Sequence, residues 1–162
     1  MRPVLSVVCL ALLSFAAACS ETTATTKTSP LAGEWLASRE SLQPTGSLTR
    51  RLGFSNSGQF SYRIDQYGIY EGQSPGTVSV YTQMSGTYQI DGDRLILTAN
   101  RIATWDSFYG AGSPERVEQV TRVVLDQARF RIVGFTLILD YIVYPADGPV
   151  PATLAFTRLG PD

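Results

Sequence analysis

Residues 86–98, GTYQIDGDRLILT, decide how this chain folds. Two apolar alternations, Tyr88-x-Ile90 and Leu95-x-Leu97, flank Asp91-Gly92-Asp93. Alternation with period two puts Tyr88, Ile90, Leu95 and Leu97 on one face of a pleated ribbon. Asp-Gly between such runs signals a hairpin, because a type I′ turn needs a positive φ that Gly adopts without steric penalty. The pattern recurs at residues 128–140, ARFRIVGFTLILD. There Ile132, Gly134, Leu137, Ile138 and Leu139 fall on Ile90, Gly92, Leu95, Ile96 and Leu97. A weaker hairpin, LGFSNSGQFSYRI at residues 52–64, turns at Asn56-Ser57-Gly58. Hairpins repeated along a chain with little helical signal form an antiparallel meander, and a meander that closes is a barrel. The fold class predicted is all-β: one up-and-down antiparallel β-barrel of eight to ten strands.

Outward from these hairpins, the same period predicts strands over residues 48–54 and 59–65, with Phe60, Tyr62 and Ile64 facing inward. Gly and Pro mark 66–76 as a loop, apolar for a loop because of Tyr67, Ile69 and Tyr70. Residues 77–90 read as one long strand with a bulge or bend at Gly86, and 95–102 return beside it. The connection at 103–114, ATWDSFYGAGSP, reads as irregular. Its aromatics Trp105, Phe108 and Tyr109 either fold down as a plug on the core or line an open mouth. Ser113-Pro114-Glu115 is a helix-start pattern, yet Val117, Val120, Thr121, Val123 and Val124 are β-branched and favour a strand from about Glu118, after at most one helical turn. Strands at 129–133 and 136–144, a rigid turn at 145–151 and a closing strand at 152–159 complete the barrel.

A chain of 162 residues supports one domain with a real core. Its net charge of −1 lacks the basic face that a nucleic-acid partner needs. Residues 1–18 read as a signal peptide: Arg2 is the charged start, and the apolar run 4–18 is shorter than the ~20 residues a helix needs to cross a bilayer. Residues 19–30 form a Thr-rich stretch that cannot bury surface and is expected to be a disordered tether. The barrel domain is expected over 31–162. Cys9 lies in the leader, so the mature chain has Cys19 alone and can form no internal disulfide.

Ala16-Ala17-Ala18-Cys19-Ser20 resembles the lipobox of bacterial lipoproteins, with Ala16 where Leu is usual. The resemblance implies cleavage before Cys19 and its acylation, with palmitate among the chains; an ordinary signal-peptide cut near Ala18 is the other reading. Several acyl chains, at ~0.8 kcal/mol per buried methylene, make a permanent anchor. Ser20, rather than Asp, after the Cys implies sorting to the outer membrane, facing the periplasm. The domain itself resembles the lipocalin-like barrels of bacterial envelope proteins. The residues that carry this are Leu31-Ala32-Gly33-Glu34-Trp35, then Ser85-Gly86-Thr87-Tyr88, then Phe156-Thr157-Arg158. It implies that Trp35 seals the closed end and that Arg158, on the last strand, lies across it, or else that Trp35 is simply a large core residue. A guanidinium over an indole contributes ~0.5–2 kcal/mol.

The chain has no His, which excludes Ser-His-Asp and Cys-His catalysis and most zinc sites. Asp91 and Asp93 offer too few oxygens for calcium and favour the turn instead. Glu115 and Glu118 sit beside Arg116 and Arg122 as a solvated edge. No metal, cofactor or nucleic acid is expected, and a calycin-fold enzyme is the least favoured reading. The function expected is binding of a small apolar or amphipathic ligand inside an anchored barrel. Parity nominates Tyr62, Tyr81, Tyr88, Leu97, Leu137 and Leu139 as lining residues, with Trp105 at the mouth. The alternative is a filled barrel acting through its loops on an envelope partner.

Overall fold

The computed structural model describes residues 28–42 and 46–160. The signal peptide and tether expected from the sequence, Cys19 included, lie outside the described residues as far as residue 27. Ten strands follow one another: β1 Gly33–Ala37, β2 Glu40–Ser41, β3 Ser47–Phe54, β4 Gln59–Tyr67, β5 Val78–Asp91, β6 Arg94–Asp106, β7 Arg116–Val124, β8 Arg129–Val133, β9 Thr136–Val143 and β10 Val150–Arg158. Eight of them close an antiparallel barrel in the order β1-β10-β9-β8-β6-β5-β4-β3, and β3 returns to β1. The short β2 pairs β3, and β7 pairs β6.

The two echoing hairpins turn alike. Asp91 pairs Arg94 and Val133 pairs Thr136, so the central residues are Gly92-Asp93 and Gly134-Phe135. Gly92 has φ +61° and Gly134 φ +59°, while the residue after each keeps a negative φ. A positive φ at the first central position alone is the type II′ pattern, not the type I′ predicted. The shift arises because Asp91 is drawn into the strand by its pairing with Arg94, which moves the turn one residue on.

These turns, together with residues 55–58, gather at one end, and that end is sealed. Trp35 is fully buried and its indole N–H donates to the Leu31 carbonyl at 2.8 Å. Arg158 is its register partner on β10, and the guanidinium lies 4.4 Å from the indole centre. Arg158 also donates to the Pro30 carbonyl at 2.8 Å. The Ser29 N–H donates to the Asn56 side chain at 3.1 Å. The last residues expected to be tether, 28–30, are therefore docked against the closed end, and Leu31 beneath them is fully buried. Above this plug the barrel is solid. Leu52, Phe54, Phe60, Tyr88, Leu95, Leu97, Leu137, Leu139 and Phe156 fill it. Alternation supplies these residues from every strand, and a narrow eight-stranded barrel is just wide enough for them.

The wall changes character toward the opposite end. β6 begins beside β8, at Arg94 opposite Arg129, and from Leu97 to Thr104 it runs beside β7 instead. A corner at residues 125–128 separates β7 from β8, and Leu125 and Gln127 there have φ of 55° and 53°. The far edge of β7 pairs with no strand among the described residues. On the other side, β9 runs past the end of β8 from Tyr141 onward, where the Ile142 N–H donates to the Asp126 carbonyl. The barrel is thus continuous around its lower half and slotted between β7 and the end of β9.

Strand lengths differ from expectation at this end. β6 extends to Asp106, so Trp105 belongs to a strand and not to a loop. β7 starts at Arg116 with no helical turn directly before it; among the described residues the single 3-10 turn is Ser107–Tyr109, capped by the Asp106 carboxylate, which accepts from the Phe108 N–H. Phe108 is 72% and Tyr109 63% exposed, so this loop does not plug the core.

Candidate functional site: a cup at the open end

Above the packed layer the inward-facing side chains enclose a cavity of about 410 Å³. Each wall strand contributes in the frame set by its buried neighbours. On β3 the inward series is Leu48, Arg50, Leu52 and Phe54, with Arg50 above the core leucine. β4 adds Tyr62 and Ile64, β5 adds Thr82 and Met84, and β6 adds Ile102. The β7 corner adds Arg122 through Leu125, and β9 adds Tyr141. These last residues flank the slot, so the cup is open at the side as well as at the top. A second cavity of about 440 Å³ shares Thr82 with the first and continues toward the rim, past Val80, Thr104, Trp105, Asp106, Tyr109 and Arg116.

The polar groups of the cup are few and placed. The Arg50 side chain is mostly buried and carries the Glu40 carboxylate of β2 as its ion-pair partner. Burial pushes the Tyr62 phenol up to about 12, against the opposing pull of the Arg50 guanidinium next to it. Arg122 makes no ion pair among the described residues. No group of acidic, His or Cys side chains able to hold a metal occurs among the described residues.

The buried Tyr62 phenol carries a measurable consequence. Its raised folded-state value stabilises the fold below pH 10, where folded and unfolded chains are both protonated. That contribution declines as pH climbs from 10 toward about 12, because the unfolded chain gives up the proton first. Tyr70 is held up to about 12 for a different reason, its hydrogen bond to the Asp106 carboxylate at 2.7 Å. Followed by tyrosinate absorbance, several phenols, Tyr62 and Tyr70 among them, should titrate late in the native protein, and Tyr62→Phe should remove one of them. Titration of all phenols together near pH 10 would show that Tyr62 is not buried as described.

The residues nominated from the sequence fall into three places. Tyr62 lines the cup. Tyr88, Leu97, Leu137 and Leu139 face inward but lie in the packed half, below the cavity. Tyr88 donates its hydroxyl to the Ser55 carbonyl at 2.8 Å and meets Phe54 edge-on at 4.9 Å, which makes it a core residue of the closed end. Tyr81 stands on the outer face of the wall, and Trp105 beside it also borders the rim cavity, at the mouth where it was expected. The extra residue that produces the bend lies in β6 at Asn100, not in β5, so β5 keeps its alternation through Gly86 and Tyr81 points opposite to Met84 and Tyr88. On that outer face Tyr81 stacks on Trp105 at 5.8 Å, and Arg63 covers the tyrosine ring at 4.0 Å. Glu115 accepts from the Tyr81 hydroxyl at 2.6 Å and from Arg101 at 2.9 Å. Those bonds hold the Glu115 carboxyl below the usual carboxylate range and raise the Tyr81 phenol.

Sequence reasoning missed Arg50, Met84, Ile102, Arg122 and Tyr141. For Arg50 the signal was present: it occupies an inward frame between Leu48 and Leu52, where a charge has no reason to be unless the space around it stays partly wet. Arg122 and Tyr141 gave no local signal, since their facing depends on where the slot opens. No protein-family model matches this chain, and no curated protein matches it in sequence.

Proposed function

We propose that this chain is a lipid-anchored, lipocalin-like protein of a bacterial envelope that holds one small apolar or amphipathic molecule in the open half of its barrel. The observation that carries the reading is the cup itself. Its volume of about 410 Å³ falls within the range of ~300–1,000 Å³ typical of small-molecule sites. Ile64, Met84, Ile102, Val124 and Leu125 make its walls largely apolar, and burial of ligand against them contributes roughly 25 cal/mol per Å². Below it the solid core acts as a floor, so a ligand enters from the top or through the slot beside β7. The anchoring half of the reading rests on Ala16-Ala17-Ala18-Cys19 after an apolar run, with Cys19 as the acylated residue.

A second reading draws on the rim. Phe108 and Tyr109 are exposed, Phe108 packs against both Tyr70 and Tyr109 at 5.6 Å, and the pair would suit contact with an envelope protein. Intact-mass spectrometry of the whole chain, extracted from bacterial membranes in mild detergent, tests both halves together. The expected spectrum has a denatured mass beginning at an acylated Cys19, and a native mass that carries one further small molecule. A chain cut elsewhere and free of lipid would sink the anchor. A native mass with no added molecule, unchanged after incubation with bacterial lipid extract, would favour the rim.

A further inference from the structure

We infer that the ligand of this cup carries a carboxylate, which docks on Arg50 in place of Glu40. This rests on the cup being the binding site and adds the chemistry of its head group. Two guanidinium groups, Arg50 and Arg122, and two phenols, Tyr62 and Tyr141, line an otherwise apolar cavity, and no acidic residue lines it. The charge of the lining is therefore positive throughout. Burying a guanidinium among Ile64, Met84 and Leu52 is costly unless it is paired and hydrogen-bonded. In the absence of ligand the pairing comes from outside the lining, through Glu40.

Glu40 is built to leave. It sits on β2, which among the described residues meets β3 through just two pairs, Glu40–Leu48 and Ser41–Ser47. Its side chain is 43% exposed where that of Arg50 is 18% exposed. The carboxylate can return to water at little cost, whereas the guanidinium cannot. An incoming carboxylate meets a planar fork of donors already oriented toward a carboxylate, the geometry for which Arg is suited and Lys is not. The buried Tyr62 hydroxyl beside Arg50 supplies a further donor, since it keeps its proton throughout the physiological range. The apolar tail then lies against Ile64, Met84 and Ile102 of the same lining. Decanoate is a ligand of this class.

The test is competition for the neutral dye Nile red, bound to the soluble barrel domain starting at Thr28, provided that its circular dichroism and cooperative melting match those of the full chain. Three competitors share one tail: decanoate, decanol and decyltrimethylammonium. A hydrogen bond to a charged partner is worth enough for about ten- to hundredfold in affinity, so decanoate should displace the dye at least about tenfold more tightly than decanol, and the cation most weakly. Arg50→Met, which keeps the bulk and removes the charge, should bring decanoate and decanol to parity while leaving decanol within a few fold of its original affinity. Glu40→Gln weakens the resident competitor and should tighten decanoate severalfold without changing decanol, read in protein whose cooperative melting shows that it still folds. Equal binding of decanoate and decanol by the unaltered protein, or a preference that survives Arg50→Met, overturns the assignment of the head group while leaving the cup as a binding site. Failure of Nile red and all three amphiphiles to bind overturns both.

Discussion

Gly86→Ala should leave this chain barely able to close its barrel. A β-carbon at Gly86 would stand 2.0 Å from the Thr98 carbonyl oxygen, 2.9 Å from Ala99 Cα and 3.0 Å from Asn100 N. All three are backbone atoms of β6, so no rotamer change relieves the clash. The strands meet this closely because β6 carries its extra residue here, with Ser85 opposite Arg101 and Gly86 opposite Ala99. Overpacking of a core by side chains costs ~1–3 kcal/mol, and a clash with the main chain of a central strand pair should reach or exceed the top of that range. For a domain whose total stability is of order 5–15 kcal/mol, that is a large loss. Gly92→Ala is the control. Its φ is +61° with nothing within 4 Å, so it should lose only the ~1–2 kcal/mol of a left-handed alanine. Urea unfolding followed by circular dichroism separates the two. Gly86→Ala with a midpoint at or above that of Gly92→Ala would mean that β5 and β6 do not approach as described.

Trp35→Ala should be comparably severe, for the opposite reason. Trp35 is the largest fully buried side chain, and its strand is paired on both sides, with β3 and with β10. Removing a buried Trp costs ~3–5 kcal/mol, through lost transfer energy and the cavity left behind. The Leu31 carbonyl loses its donor as well, and the guanidinium of Arg158 loses the ring beneath it. Trp35→Phe should recover most of the packing but not the hydrogen bond, and so lie between the two. Arg158→Ala should cost less than Trp35→Ala, because a partly exposed cation over a ring contributes only ~0.5–1 kcal/mol. Equal losses from Trp35→Phe and Trp35→Ala in thermal melts would assign the effect to the hydrogen bond rather than to the seal.

Much of the architecture was written locally. The hairpins at residues 86–98 and 128–140 each combine alternating apolar residues with a Gly at the turn, and both formed as antiparallel hairpins. Their turn type was misread by one residue, because whether Asp91 joins the strand depends on its partner Arg94 and not on the Asp-Gly pair itself. Trp105 was misplaced for a related reason. The sequence from Ala103 onward looks irregular, yet pairing with β5 on one side and β7 on the other makes it strand. Tertiary hydrogen bonding there outweighs local preference.

The cup was legible only in part. Inward parity picked out Tyr62, Tyr88, Leu97, Leu137 and Leu139 as facing the interior, and all of them do so. Parity says which side of the sheet a residue occupies but nothing about its height along the barrel axis. Height separates the packed floor, where Tyr88 and the three leucines lie, from the cavity that Tyr62 lines.

Period-two patterning and turn chemistry are properties of neighbours along the chain, and they were sufficient for an all-β, single-domain, up-and-down meander. Closure of β3 onto β1, the bulge that falls in β6 and leaves β5 unbroken with Tyr81 on its outer face, and the parting of β7 from β9 are long-range pairings. They depend on how strands of unequal length share hydrogen bonds around a ring. No local stretch encodes that sharing, so the depth of the cup and the place of Arg50 in its lining emerged only once the ring had closed.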